Sequence, residues 1–299
     1  MAETWIYRPN CRVPDGQILP VGVRRFAAIV EYDGQRWPGW QRQAHCQSIQ
    51  EQVEAALSRV ANEPITVICA GRTDAGVHAT AQVIHFDSRA PRQPHNWLFG
   101  TNANLPESIR LQWVNEVPAQ FHARFSALAR SYRYLVHEGA AQPALLRDFS
   151  CRERNPLNIP AMRTAAQALL GEQDFSAFRG AGCQSPTPLR HLRDLRIWRQ
   201  GELVVIEVTA NAFLLHMVRN LAGALLAVGR GERPSDWLAA LLASRQRALG
   251  VATAPPQGLY LVGVHYPPEL AIPALVGGPC FVALAGIEAV TAPLWQRPQ

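Results

Sequence analysis

An α+β fold with a mostly antiparallel sheet is the class this sequence predicts, and three observations lead there. Strand-like runs recur along the chain, and 192–198 and 203–209 stand either side of Gln200-Gly201 as a hairpin would. Helical patterns with recognisable caps lie between the strand-like runs. The same recipe occurs twice, before and after an aperiodic stretch at 140–157.

Taken in order, residues 25–32 alternate as a strand does. Ser48-Ile49-Gln50-Glu51 is a capping box, and Ile49, Val53, Leu57 and Val60 keep helical spacing behind it. Apolar runs at 65–70 and 81–86 read as strand, tight loop, strand. An Arg- and Pro-rich link at 89–94 precedes a short helix near Trp97, followed by strands at 109–117 and 131–137. In the second half a helix at 160–170 ends at Gly171, and the hairpin follows. An apolar helix at 215–228 ends at Gly229, Ser235 caps another helix, and 259–266 forms a last strand. The expected division is an N-terminal extension at 1–22, a subdomain at 23–140, a connector at 141–157, a second subdomain at 158–268 and a tail at 269–299.

The chain has 299 residues, ample for a sizeable core, and its 48% hydrophobic and 17% charged content is that of a globular protein. Basic residues outnumber acidic ones 29 to 23, and all 29 are arginine. Guanidinium forks onto phosphates and stacks on bases, so the balance is compatible with a nucleic-acid partner without requiring one. The six cysteines show no metal-ligand spacing and no disulfide framework, which predicts no metal, no disulfide and a reducing cytoplasm. No signal peptide is visible at the N-terminus. The uncharged stretch 270–286 is broken by Pro273, Gly277, Gly278 and Pro279 and falls short of the ~20 residues a bilayer requires, so no membrane association is expected.

The most informative segment is Cys69-Ala70-Gly71-Arg72-Thr73-Asp74-Ala75-Gly76-Val77-His78. It places one carboxylate, Asp74, at the tip of the strand-connecting loop, with Arg72 before it and glycines at 71 and 76 to take positive φ. On spacing alone this is equally a turn with a local ion pair. An enclosed pocket would tend to neutralise Asp74, and a nearby cation would restore its charge. Arg219 is the candidate, because the helix around it is otherwise apolar (Leu214, Met217, Val218, Leu221, Leu225) and an unpaired charge there is costly. Phe121-His122-Ala123-Arg124-Phe125 combines aromatics with a guanidinium, a pairing suited to stacking on RNA and contacting phosphate. Arg190, Arg193, Arg196 and Arg199 suggest a basic stripe, although strand alternation sets Arg196 opposite Arg193 and Arg199, and a solvated face explains them at least as well.

Gly71-Arg72-Thr73-Asp74-Ala75-Gly76-Val77-His78 resembles the signature of the tRNA pseudouridine synthase A family, in which this aspartate is catalytic. Glu31-Tyr32-Asp33-Gly34, Gly39-Trp40-Gln41-Arg42-Gln43, Asn102-Ala103-Asn104-Leu105-Pro106, Tyr132-Arg133-Tyr134, Asp174-Phe175-Ser176-Ala177-Phe178, Asn211-Ala212-Phe213-Leu214, His216-Met217-Val218-Arg219-Asn220 and Gly258-Leu259-Tyr260-Leu261-Val262 match in the family's order, as does the 121–126 segment. The resemblance implies two α/β subdomains sharing one central sheet with the active cleft between them, and a homodimer acting without cofactor. It implies uridines 38, 39 and 40 of the tRNA anticodon arm as targets.

Within that resemblance Asp74 is the nucleophile. Tyr132 stacks on the uracil and is the candidate acceptor for the C5 proton, and Leu259 forms an apolar wall. The 121–125 segment is tied to base flipping, and Arg72 is placed to fill the space that the base vacates. The loop of Gly182, Cys183, Gln184, Ser185 and Pro186 corresponds to one that touches tRNA, but Pro186 stands where a basic residue is common, which puts that contact in question. His78 and His216 read as structural and stay outside the catalytic set. The rivals are a non-catalytic RNA-binding factor on the same scaffold and a metal-dependent nuclease. The second would want clustered acidic ligands that Asp74 lacks in its motif.

Overall fold

Alternation in the N-terminal half yields strand β1 (Arg24–Tyr32), helix α1 (Ile49–Ala61), a two-residue β2 (Ile68–Cys69), β3 (His78–Ser88), α2 (Pro94–Asn104), β4 (Ile109–Val117), β5 (Ala129–Glu138) and β6 (Cys151–Glu153). The second half supplies α3 (Ile159–Gln167), β7 (Gly171–Asp174), β8 (Leu189–Gln200), β9 (Leu203–Ala210), α4 (Met217–Gly229), α5 (Trp237–Ser244) and β10 (Leu259–His265). The computed structural model describes residues 19–247, 252–274, 278–279 and 281–282. Most of the expected extension at 1–22 and of the tail at 269–299 lies outside the described residues.

Among the described residues ten strands form one sheet in the order β4-β1-β3-β10-β5-β9-β8-β7, with β2 added to β3 and β6 to β5. Pairing is antiparallel except for β10 on β3 and β6 on β5. The fold is therefore α+β with a mostly antiparallel sheet. The last strand explains how two halves share it: β10 enters between β3 and β5, pairing Tyr260 with His78 on one side and Leu261 with Tyr132 on the other. This seam gathers the start of β3, the start of β10 and the middle of β5 at one place.

Helices cover one face of the sheet. Ser48 and Glu51 form the expected reciprocal cap, and α1 buries Ile49, Val53, Ala56, Leu57 and Ala61. Phe26 and Phe86 pack with Trp97 of α2, ring centroids 5.0–5.4 Å apart. Each such buried ring contributes about 1.5–3 kcal/mol. Helix α4 is buried almost all round, in keeping with a sequence that is apolar apart from Arg219 and Asn220. Among the described residues no helix is long and apolar enough to cross a membrane, and the four described cysteines are free.

Several expectations needed correction. The run at 65–70 is a strand only at Ile68–Cys69, because the Val67 N–H donates to Glu54 Oε1 instead of to a neighbouring strand. Gly171 opens β7 instead of capping α3, and β7 carries no apolar alternation because it is a half-covered edge strand. The aperiodic stretch contains β6, three residues whose parallel pairing to β5 leaves no periodic trace. Helix α5 begins after Asp236 and takes no side-chain cap, so Ser235 does not serve there. Of the suspected basic stripe, Arg190 is buried, Arg196 pairs with Glu207 and Asp194, and Arg199 pairs with Glu138. Those pairings favour a solvated, self-compensated face.

Candidate active site

The loop between β2 and β3 is strapped down along its length. The backbones of Gly39 and Asp74 form an isolated β-bridge, and the Trp40 N–H donates to the Thr73 carbonyl at 3.0 Å. Gly39 has φ +113°, and a Cβ there would stand 2.9 Å from the Thr73 oxygen, so only glycine admits the approach. Tyr32 Oη and Thr73 Oγ1 are 2.8 Å apart, and buried Gln82 donates through Nε2 to the Gly71 carbonyl at 2.5 Å. Gly76 takes the expected positive φ of +75°, whereas Gly71 does not. Buried Arg130 donates to the carbonyls of Ala70, Arg124 and Asn211, tying three segments around the cleft.

This strapping presents the Asp74 carboxylate to a cleft of about 810 Å³ lined by both halves of the chain. Arg219 Nη1 lies 3.9 Å from Asp74 Oδ2, and the Arg219 Nε–H donates to the Ala254 carbonyl at 2.7 Å. The Asp74 side chain is 31% exposed and that of Arg219 15%, so enclosure is partial and the pair is looser than a buried salt bridge. Tyr132 lies across from them on β5, its hydroxyl 3.7 Å from where a Cβ on Gly71 would stand. Burial pushes the Tyr132 phenol far above its ordinary value; the Arg130 charge pulls it partly back and the Asp74 charge pushes it further. The phenol is therefore neutral at physiological pH. Phe213 meets Tyr132 edge-on with centroids 5.0 Å apart, and Leu259 completes the apolar side.

Arg72, Arg124 and Phe125 line the cleft, with the Arg124 guanidinium 5.6 Å above the Phe125 ring. His122 stacks on Phe125 at 4.3 Å and accepts the N–H groups of Arg124 and Phe125 at Nδ1. Phe121 and Ala123 are fully buried and support the segment from beneath, out of a ligand's reach. His85 accepts the Ala123 N–H, and burial, with Arg25 and His122 adding to it, pushes this histidine down to about 3. Opposite, Cys183, Gln184, Ser185 and Pro186 line the second wall, while Gly182 stands outside the lining. Arg179 donates to the carbonyls of Cys183 and Ser185, and Arg190 to Ser185 Oγ and the Thr187 carbonyl.

The two histidines set aside differ in kind. His78 is buried, accepts the Gly34 N–H at Nδ1 and is 3.1 Å from the Asp148 carbonyl through Nε2, which is a structural arrangement. His216 stands in the cleft with Nε2 3.5 Å from Asp74 Oδ2, closer than Arg219. Sequence reasoning missed His216 and Phe213, although both lay inside matched motifs.

The cleft thus brings a carboxylate, two basic side chains on one of its oxygens and a neutral tyrosine together at the seam of the shared sheet. The sequence profile described as tRNA pseudouridine synthase matches residues 28–126 and 165–267, with Asp74 and Arg219 inside the matched segments and Tyr132 between them. The chain belongs to the tRNA pseudouridine synthase family. The tRNA pseudouridine synthase A of Klebsiella pneumoniae subsp. pneumoniae is 52% identical over 259 residues, covering 87% of this chain and 96% of that protein. The protein of the same name from Shigella boydii serotype 4 is 51% identical over 269 residues, covering 90% and 99%. That of Coxiella burnetii is 52% identical over 258 residues, covering 86% and 99%. The profile match leaves out the two ends of this chain.

Proposed function

We propose that this chain isomerises uridine to pseudouridine at positions 38, 39 and 40 of the tRNA anticodon stem-loop, as a homodimer in the cytoplasm and without a cofactor. The observation that carries the reading is Asp74, strapped at the tip of its loop, facing Tyr132 and Arg219 in a cleft shared by both halves. Family membership and the relatives' names support tRNA as the substrate.

The reaction breaks the bond between N1 and C1′, turns the uracil in its pocket and joins C5 to C1′, after which C5 gives up its proton to a base or to water and N1 takes one up. Atoms and charge balance without redox chemistry. In this reading Asp74 is the nucleophile and Arg219 is its ion-pair partner. Tyr132 stacks on the uracil, and its neutral phenol suits hydrogen bonding better than accepting the C5 proton. A base in a stem must leave its stack first, at a cost of a few kcal/mol. Arg72 and Arg124 supply positive charge beside the opening, and Phe125 an aromatic face. The 183–186 loop offers backbone and Gln184 in place of a basic side chain, so its share in RNA binding is the smaller one.

Incubation with unmodified tRNA and no added metal, followed by mapping of pseudouridine, tests the whole reading. Product at 38–40 supports it. Bound but unmodified tRNA would leave a non-catalytic RNA-binding factor.

A further inference from the structure

His216 combines three features that a structural histidine has no reason to share. First, it occupies the left-handed region, φ 58° and ψ 4°, at the N-cap of α4. That conformation costs a residue with a Cβ about 1 kcal/mol or more, and asparagine and glycine tolerate it best. Second, its side chain makes no capping bond, the service for which N-cap residues are ordinarily chosen. Third, the ring is held over Asp74: Nε2 is 3.5 Å from Oδ2, while Gly180 packs against the far side, where a Cβ would stand 3.1 Å from Nδ1. Gly180 is itself fixed there, its N–H donating to the Leu215 carbonyl at 2.8 Å.

The geometry around the carboxylate is one-sided. Nε2 of His216 and Nη1 of Arg219 both approach Oδ2, at 3.5 and 3.9 Å, and neither approaches Oδ1 as closely. Two basic groups converging on one oxygen bias the orientation of the carboxylate. Both separations exceed an ordinary hydrogen bond, and such contacts commonly tighten once substrate is bound.

We infer that His216 is a positioning residue for the nucleophile: with Arg219 it holds Asp74 Oδ2 and presents Oδ1 to the ribose or the base. The inference rests on Asp74 being the nucleophile. The left-handed backbone is the means by which the chain turns into α4 while the imidazole points back across the cleft. The groups facing it are Asp74 from the β2–β3 loop, Arg219 from its own helix, and Gly180 and Cys183 from the 179–187 segment, where Cys183 Sγ accepts the Leu215 N–H at 3.4 Å.

Two substitutions separate this from a structural or RNA-binding role. His216→Asn suits the left-handed backbone but is too short to reach Oδ2. His216→Gln can place an amide N–H near the position of Nε2. With tRNA as substrate, His216→Asn should lower kcat by at least about tenfold, as a misplaced reacting group does. Its tRNA affinity should stay within about twofold, because phosphate contacts dominate binding. Its Tm should be equal to or above that of the parent, since strain is relieved, and His216→Gln should regain part of kcat. The inference is overturned if His216→Asn keeps kcat within about twofold, if the loss falls on affinity instead, or if glutamine restores nothing. Asp74→Asn run in parallel tells the two failures apart. An active Asp74→Asn sinks the underlying reading, whereas an inactive one beside a fully active His216→Asn sinks only the role of His216.

Discussion

The two walls of the cleft are held to different degrees. The wall bearing Asp74 is tied by the Gly39–Asp74 backbone bridge and the Trp40–Thr73 backbone bond as well as by the Gln82 and Arg130 side chains on the Gly71 and Ala70 carbonyls. The wall at 182–187 has no β-bridge among the described residues and rests mainly on the Arg179 and Arg190 side chains, and Gly182, Gln184 and Pro186 are exposed. Chemistry that tolerates displacements well below 1 Å belongs on the first wall, while the second can adapt to the shape of a bound nucleic acid.

Four substitutions probe that contrast, and the largest effect is expected at the nucleophile. Asp74→Asn retains size and hydrogen-bonding capacity, so no pseudouridine should be detected while tRNA affinity is nearly unchanged. Arg219→Met comes next. Turnover should fall while tRNA affinity changes little, because the carboxylate has lost one of the two basic groups that approach Oδ2. The pair is partly exposed and 3.9 Å apart, so the stability cost should be only about 1 kcal/mol, far below that of a broken buried pair. A double-mutant cycle with Asp74→Asn on thermal unfolding measures the coupling, and losses that simply add would remove Arg219 from the pair.

Gly39→Ala tests the strapping itself. Its Cβ would meet the Thr73 oxygen in a backbone conformation that alanine avoids, so stability should drop by about 1–3 kcal/mol and kcat should fall with it. A variant of parental stability and rate would show that the bridge does not position Asp74. Changes on the opposite wall, such as Pro186→Gly, should alter affinity by no more than about threefold and leave kcat alone, checked by titrating tRNA binding beside turnover.

The smallest and most gradual effect concerns pH. His85 is buried neutral, with its proton affinity pushed down to about 3, so the unfolded chain takes up a proton first as pH falls. The stability this contributes is complete above the ordinary histidine value near ~6.5 and is lost as pH drops from there toward 3. Because His85 accepts the Ala123 N–H, the 121–125 segment should loosen first. His85→Asn keeps an acceptor but does not titrate, and its urea midpoint should depend less on pH between about 6.5 and 4. An unchanged dependence would assign the acid sensitivity to other groups.

Some of this was legible beforehand because the signal is local. The Ser48–Glu51 cap, the 109–117 strand and the Gln200-Gly201 hairpin each follow from residues within a few positions of one another. Strands β6 and β7 were not legible, since each is a strand only because a distant partner lies alongside. Within the site, Asp74 stood out as a lone carboxylate between glycines. His216 did not, because a histidine beside an apolar helix signals nothing until the chain folds it over Asp74.

The sequence by itself determined the α+β class, the helix starts at Ser48 and near His216, the loop that carries Asp74, and the ordered motifs of the family. Capping, periodicity and turn chemistry act over a few residues and are written in the order of the chain. Only the tertiary structure decided that β10 joins the two halves, that Phe121 and Ala123 lie beneath the cleft instead of in it, and that Arg219 and His216 meet on one oxygen of Asp74. Those outcomes depend on distances between residues that stand more than 100 positions apart, and side-chain packing, which fixes such distances, has no local signature in a sequence.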